Sequence, residues 1–222
     1  MTPRAVDLWV AARGQLLQWV VRLVLATTNL NKVREIRSML RDAPYELVGL
    51  DRFPPIPPPH EDGRTFAENA RLKARAYAAA IGELVVAEDS GLEIDALDGA
   101  PGVESARYGG ADATYPRKFA LIEDAMRARG AATSTARFVC ALALARGREI
   151  LFETRGTVEG TIAPQPKGDG GFGYDPIFFY PPYGRTLAEV SAEEKAAVSH
   201  RGKAFADLRR FLRDTATHMI DD

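Results

Sequence analysis

The sequence predicts a mixed α/β (α+β) fold built on one main sheet, and three observations lead to that prediction. Short apolar runs typical of strands alternate along the chain with stretches of helical periodicity. The length of 222 residues suits one domain, with room for two lobes around a shared core. The sequence contains neither an internal repeat nor a linker long enough to separate independent domains.

Composition narrows the class of protein further. Lysine and arginine total 29 against 30 aspartate and glutamate, so the net charge is -1. A protein with nearly equal positive and negative charge is not expected to be a general binder of nucleic acid or of membrane surfaces, because both kinds of binding depend on a large excess of positive charge. Cys140 is the single cysteine and excludes an intrachain disulfide, which fits a cytoplasmic location.

The first 21 residues are treated as an N-terminal extension of unknown role, and residues 22–222 as a single domain. Polar residues interrupt the apolar pieces of the extension before any run reaches the length of a signal peptide or membrane span. Two interpretations stay open: an extra amphipathic helix, or a poorly ordered extension from a start codon assigned too early.

The first half of the domain alternates strands and helices. Residues 22–26 predict a strand, followed by a helix from about Leu30. Closely spaced prolines in 53–64 exclude both helix and central strand. Thr65 and Glu68 form a capping box, which predicts a helix start there.

The second half continues with elements of both kinds. A buried strand over 84–87 is expected to end at Glu88 and Asp89. The remaining predictions, in chain order, are a half-buried strand over 92–97, a loop over 101–110, a helix over 115–129, consecutive strands over 136–145 and 149–163 with the second broken by glycines, a glycine-rich stretch over 166–184, and two closing helices.

The segment TTNLNK, residues 27–32, is a candidate phosphate site. A strand that enters a helix through small polar residues presents free backbone N–H groups and a positive dipole end to an anion. Lys32, in the first turn, opposes that dipole and is disfavoured unless an anion lies nearby. The alternative is that Asn29 merely caps the helix and Lys32 is solvated.

Acidic residues form a second candidate group, comprising Glu61, Glu88 and Asp89. Carboxylates beside a phosphate site suggest Mg²⁺, which takes one or two protein carboxylates and fills its other positions with water and phosphate oxygens. Ordinary turn residues are the alternative. Lys73, four residues after Asn69 on a stripe that faces the core, is expected either to snorkel or to meet an anion.

The stretch GDGGFG, residues 168–173, matches the dinucleotide fingerprint only in its letters, because Asp175, Pro176 and an aromatic run follow where a helix is needed. The chain also lacks a P-loop motif. Phe172 and Tyr174 remain as rings that either stack on a nucleobase or pack in the core.

Residues 193–205 place Lys195, His200 and Arg201 close together, with Ser199 as a candidate cap of a helix that begins at His200. With three histidines and one cysteine in the chain, a zinc cluster is not expected. Cys140 lies within an apolar strand without a visible activator, which argues against a cysteine nucleophile.

Five collinear segments together resemble the dITP/XTP pyrophosphatase family, also called inosine triphosphate pyrophosphatases. They are LATTNLNK, EDGRTFAENARLKA, AEDSGLEIDALDGAPGVESARY, GGFGYDPIFF and TLAEVSAEEKAAVSHRGKA, within residues 22–212. The resemblance implies an elongated sheet flanked by helices, in two lobes with the active-site cleft between them. It also implies a cytoplasmic, homodimeric, Mg²⁺-dependent enzyme that hydrolyses ITP, dITP and XTP to the monophosphate and pyrophosphate.

The resemblance implies roles for individual residues as well. Asp89 would be the general base, and Glu61 and Asp89 would hold the metal. The remaining positions would bind substrate: Thr27, Thr28, Asn29, Leu30, Asn31, Lys32 and Lys73 at the triphosphate, Ser90 beside the base, and Phe172, Gly173, Tyr174, Asp175, Lys195, His200 and Arg201 around the purine.

The sequence departs from the family pattern at two places: Glu88 stands where many bacterial members have aspartate, which leaves its share in the metal open, and residues 1–21 have no counterpart. Two other functions stay under consideration. One is a related pyrophosphatase of different base preference, similar to the Maf-like enzymes, and the other is a catalytically silent nucleotide-binding protein.

Overall fold

The computed structural model describes residues 22–41 and 45–218, so the predictions for residues 1–21 lie outside the described part. One curled sheet organises the fold, with strand order β2-β1-β3-β4-β5-β6-β7. Its strands are β1 (Arg22–Leu25), β2 (Glu46–Gly49), β3 (Leu84–Ile94), β4 (Thr135–Arg146), β5 (Glu149–Ile162), β6 (Phe178–Tyr180) and β7 (Arg185–Thr186). The sheet is mixed: β1 pairs in parallel with β2 and β3, and the remaining pairs are antiparallel.

The described residues form five α-helices. They are α1 (Leu30–Met39), α2 (Phe66–Ile81), α3 (Tyr115–Ala128), α4 (Ala192–Val198) and α5 (His200–His218). The capping box of Thr65 and Glu68 is present at the start of α2, and 53–64 contains neither helix nor strand, so both predictions are confirmed. None of these helices combines the length and the apolar character needed to cross a membrane.

The predicted break after residue 87 is wrong, because β3 is one strand of 11 residues. Antiparallel pairing with β4 continues along the whole of β3, and Glu88 and Asp89 lie opposite Leu142 and Ala141 in its middle. Strand β1 ends beside Val86. The two carboxylates therefore follow the carboxyl end of β1 rather than that of their own strand, and residues 95–97 form a 3₁₀ turn instead of strand.

The predicted break within residues 149–163 is also wrong, since β5 continues through its glycines. A Cβ at Gly156 would collide with the carbonyl oxygen of His200, and one at Gly160 would collide with Phe178 and Phe179. The glycines therefore permit other segments to approach β5 closely instead of ending it.

The sheet buries both faces over most of β3 and β4. One face packs against α1 and α5 through a cluster that includes Leu25, Cys140 and Phe205. The other packs against α2, with Val85 and Ala141 among its members. Because successive side chains of a strand point to opposite faces, neighbouring residues of β3 reach different helices.

Candidate functional site

The turn from β1 into α1 forms one side of the site. Asn29 caps α1, since its side-chain oxygen accepts the backbone N–H of Asn31 at 3.0 Å and that of Lys32 at 3.3 Å. Leu30, the first residue of the helix, is 77% exposed. The ammonium of Lys32 lies 3.0 Å from a carboxylate oxygen of Glu88. Lys32 thus meets the anion that its position requires, and it is not merely solvated.

Lys73 joins two of the predicted metal ligands. Its ammonium donates to Glu61 Oε2 at 2.9 Å and to Asp89 Oδ1 at 3.2 Å. Burial opposes the charged form, but Asp89 and Glu61 together raise the pKa of Lys73. Burial also opposes the charged form of Asp89 and raises the pKa of that carboxyl, although the nearby Lys73 ammonium acts in the opposite direction. Lys73 therefore pairs with anions instead of snorkelling to solvent. The Glu61 and Asp89 carboxylates lie close enough to contact the same cation.

Glu88 belongs to a different set of contacts. Its Oε1 accepts from the Arg201 guanidinium at 3.2 and 3.3 Å, and Lys32 approaches the same oxygen. Its Oε2 lies 3.5 Å from the thiol of Cys140. Although burial opposes ionisation, Arg201 and then Lys32 hold the pKa of Glu88 well below its usual range. Both carboxylate oxygens are engaged within the protein.

Cys140 does not have the properties of a nucleophile. Its side chain is fully buried, and burial, followed by the charge of Glu88, raises the pKa of the thiol well above its usual value. Reactive cysteines require a lowered pKa and some exposure. The structure therefore agrees with the expectation from sequence.

A further carboxylate, Glu35, which was not predicted from the sequence, binds the cations at the other end of the site. Glu35 accepts from the Lys195 ammonium at 2.8 Å through Oε1 and from Arg201 at 2.8 Å through Oε2. Lys195 also donates to Asp175, and Arg201 to the Ser90 hydroxyl at 2.9 Å. The available signal was the spacing, because Glu35 follows Lys32 by three residues and shares its side of α1.

His200 carries an unsatisfied polar atom. Among the described residues, its Nδ1 is the sole buried side-chain nitrogen or oxygen without a hydrogen-bond partner. The ring stacks on Phe138 at 4.9 Å between centroids, and burial, followed by Arg201, lowers the pKa of His200 well below its usual value. Ser199 accepts the Gly202 N–H at 3.0 Å, as its predicted capping role requires. A neutral imidazole with a free nitrogen suits a ligand that hydrogen-bonds there.

The two candidate aromatic rings differ. Phe172 is half-buried, with the Lys195 ammonium 4.8 Å and the Arg201 guanidinium 5.5 Å from its ring centre. Tyr174 is buried, and its hydroxyl donates to the Ser105 carbonyl at 2.8 Å. Tyr174 therefore packs in the core, whereas Phe172 is only partly buried. Gly173 between them has φ +71°, a conformation that favours glycine.

A cavity of about 100 Å³ brings most of these residues together. The predicted site residues in its lining are Asn29, Lys32, Asp89, Ser90, Phe172, Gly173, Tyr174, Asp175, Lys195, His200 and Arg201. The predicted residues outside the lining are Thr27, Thr28, Leu30, Asn31, Glu61 and Lys73. A larger apolar cavity of about 670 Å³ lies between α3 and the end of β5, and its lining contains none of the predicted site residues.

The described residues contain no group of three or more histidine, cysteine, aspartate or glutamate side chains placed to hold a metal. A site of two carboxylates, Glu61 and Asp89, is nevertheless consistent with a hard divalent cation that takes its remaining ligands from water and phosphate. The Lys73 ammonium between these carboxylates shows that their geometry accommodates a positive charge.

Comparison with known proteins gives one consistent result. A model of the Ham1 family matches residues 23–211. The chain is 47% identical over 188 residues to a dITP/XTP pyrophosphatase of Exiguobacterium sp., covering 85% of this chain and 95% of the relative. It is 48% identical over 204 residues to a dITP/XTP pyrophosphatase of Streptomyces coelicolor, covering 88% of this chain and 98% of the relative.

Two solved structures share the fold. A HAM1 protein from Coxiella burnetii superimposes with a TM-score of 0.80 at 40% identity, covering 88% of this chain and 100% of that one. A dITP/XTP pyrophosphatase from Mycobacterium abscessus superimposes with a TM-score of 0.67 at 39% identity, covering 85% of this chain and 98% of that one.

Proposed function

The chain belongs to the Ham1 family, and from that premise we propose that it is a nucleoside triphosphate pyrophosphatase of non-standard purine nucleotides. It hydrolyses ITP, dITP and XTP to the nucleoside monophosphate and pyrophosphate, which removes deaminated purines from the nucleotide pool. The observation that carries this proposal is one cavity whose lining combines Lys195, His200 and Arg201 with Lys32 and Asp89. Donors for a purine edge thus lie beside groups suited to phosphate chemistry.

The hydrogen-bond donors of Lys195 and Arg201 explain how the site recognises the purine base. Lys195 donates two of its three N–H groups, to Glu35 and Asp175. Arg201 donates four of its five N–H groups, to Glu88, Glu35 and Ser90. Each cation keeps one N–H. Hypoxanthine and xanthine present an accepting oxygen at C6, whereas the amino group of adenine is a donor that would leave these N–H groups unpaired.

The buried polar groups make that mismatch costly. A site built to hydrogen-bond a substrate group discriminates by roughly 10⁴-fold or more against an analogue that lacks it. The free Nδ1 of His200 adds a polar contact at the same end, and the partly buried Phe172 ring, which lines the cavity, provides a surface on which the base stacks. The walls formed by Gly173, Tyr174 and Asp175 complete the purine pocket.

The proposed position of the triphosphate is at the start of α1. The backbone N–H groups of Thr28 and Leu30 donate to it together with the positive end of the helix dipole, because those of Thr27, Asn29 and Asn31 already bond within the turn. Lys32 and Lys73 add two ammonium groups that balance charge on the leaving pyrophosphate. A cavity of about 100 Å³ is smaller than the roughly 300–1,000 Å³ typical of whole ligand sites, which is consistent with an enclosed base and an open phosphate end.

Glu61 and Asp89 are the residues proposed to hold a divalent cation, and Mg²⁺ is the proposed ion. A bound ion would supply Lewis acidity toward the phosphate oxygens and help to activate the attacking water. Asp89 accepts the proton of the attacking water as general base. Lys73 keeps the Asp89 carboxylate in place, and Ser90 contacts the substrate beside it.

The test is pyrophosphate release over a panel of nucleotides, with and without Mg²⁺. Preferential turnover of ITP, dITP and XTP that depends on Mg²⁺ supports the proposal. Equal hydrolysis of ATP, GTP and ITP would contradict its specificity. Preference for pyrimidine or modified nucleotides would favour a Maf-like activity, and nucleotide binding without pyrophosphate release would indicate a binding protein.

We also propose that the protein is a cytoplasmic homodimer whose active-site cleft lies between two lobes. Family membership supports the dimer and the cleft, and the near-zero net charge with a single cysteine is compatible with the cytoplasm. Light scattering of the purified chain measures the oligomeric state, and a monomer at micromolar concentration would contradict the dimer.

A further inference from the structure

Asn69 is a buried polar residue of α2 that has no assigned role in the proposed site. Its side chain is 1% exposed. The side-chain oxygen accepts the backbone N–H of Gly63 at 2.9 Å, and the side-chain nitrogen donates to Asp89 Oδ2 at 3.1 Å. Because the Gly63 N–H can only donate, it determines which end of the amide is oxygen. The amide nitrogen must therefore face Asp89.

The Asp89 carboxylate is held on both of its oxygens. Lys73 donates to Oδ1 at 3.2 Å, and Asn69 donates to Oδ2. Asn69 and Lys73 are four residues apart and lie on the same face of α2. Two donors from one rigid helix thus determine the orientation of the carboxylate plane.

The same amide also holds the loop that carries Glu61. A Cβ at Gly63 would lie 2.6 Å from the Asn69 side-chain oxygen and 2.8 Å from Cβ of Glu68, so only glycine permits this approach. Gly63 is two residues from Glu61, which contacts Lys73. One side chain therefore connects both proposed metal ligands.

We propose that Asn69 is a positioning residue, which sets the Asp89 carboxylate and the Glu61 loop at a fixed separation. The inference rests on the proposed function, because it gives Asp89 and Glu61 their roles. Asn69 is buried, and its amide contacts Gly63 and Asp89, so it acts through these residues and not on the substrate. A misplacement of about 1 Å at a reacting group can cost roughly 100-fold in rate.

Two substitutions separate the two contacts of Asn69. Asn69→Ala removes both the contact to Gly63 and that to Asp89. Asn69→Asp keeps an acceptor for Gly63 but replaces the donor to Asp89 with a second carboxylate. Thr65→Ala is the matched control, since it removes the cap of the same helix and leaves Asn69 and Asp89 untouched.

The kinetic expectation is a loss of kcat with little change in KM. For Asn69→Ala and Asn69→Asp, kcat for ITP falls by about 100-fold while KM stays within about threefold, because substrate contacts are intact. Thr65→Ala keeps kcat within about threefold, although its thermal unfolding midpoint falls. Near-normal kcat in both Asn69 variants, or an equal loss in Thr65→Ala, would overturn the proposal.

Amide hydrogen exchange gives a readout that does not depend on turnover. The Gly63 amide exchanges faster in Asn69→Ala than in the wild type and stays protected in Asn69→Asp. Unchanged protection in Asn69→Ala would refute the contact to the loop. If the wild type failed to release pyrophosphate from any nucleotide, the proposed function would fail, while exchange at Gly63 would still confirm or refute the positioning contact.

Discussion

Glu88 and Asp89 are consecutive residues of β3 whose side chains lie on opposite faces of the sheet. Glu88 reaches Arg201 and Lys32 on the side of α1 and α5, and Asp89 reaches Lys73 on the side of α2. The alternation of side chains along a strand imposes this division. Two adjacent carboxylates thus take different partners, one among buried cations and the other beside the proposed metal position.

Replacing Asp89 with asparagine is expected to reduce hydrolysis severely while ITP still binds. The amide cannot accept the proton of water, and a general base typically contributes 10²–10⁴-fold, so we expect kcat to fall by about that factor. Pyrophosphate release measures the rate, and calorimetric titration with ITP measures binding. A near-normal rate would remove Asp89 from the role of base.

Glu35→Gln is expected to weaken discrimination between bases. Without the shared charge, Lys195 and Arg201 lose the contact that orders both, and we expect kcat/KM for ITP to fall by about 10–100-fold, a loss of roughly 1.5–3 kcal/mol. The ratio of ITP to ATP turnover falls with it. Glu123→Gln, on the exposed face of α3, is the control, and an equal effect there would contradict the role of Glu35.

Glu88→Gln is expected to destabilise the fold. It removes the charge of the more deeply buried of the two carboxylates that pair with Arg201, and breaking a buried pair typically costs about 3–5 kcal/mol. Urea unfolding measures the change. Glu104→Gln breaks an exposed pair with Arg107 and is expected to cost less than about 1 kcal/mol. A comparable loss in both variants would show that burial does not decide the effect.

Folding stability is expected to decline as the pH falls below about 6.5, and His200 is the expected source. Burial lowers its pKa well below the usual 6.5, so between the two values the unfolded chain binds a proton that the folded chain does not. Stability therefore rises with pH in this window, by at most about 1.4 kcal/mol per unit from one group.

Thermal unfolding measured at several pH values between about 5 and 8 tests this dependence, because that range brackets the ordinary histidine pKa of about 6.5. His200→Gln should flatten the profile, whereas His60→Gln, at an exposed histidine, should leave it unchanged. A profile that stays steep in His200→Gln would assign the proton uptake to another group.

The sequence by itself determined the local elements and the candidate residues. Capping at Thr65, the prolines of 53–64 and the entry into α1 are decided by neighbours in the chain, so they could be predicted from it. The resemblance to known pyrophosphatases rested on short collinear segments, which are likewise local. The role of each site residue stays a prediction.

The tertiary structure alone decided which partners those residues meet. β3 continues past residue 87 and β5 continues through its glycines because β4 pairs along both strands. Only the folded structure shows that Glu35 contacts Lys195, 160 residues away, and that Asn69 contacts Asp89, 20 residues away. Contacts of this kind depend on how helices and sheet pack, and no local pattern in the chain encodes that geometry.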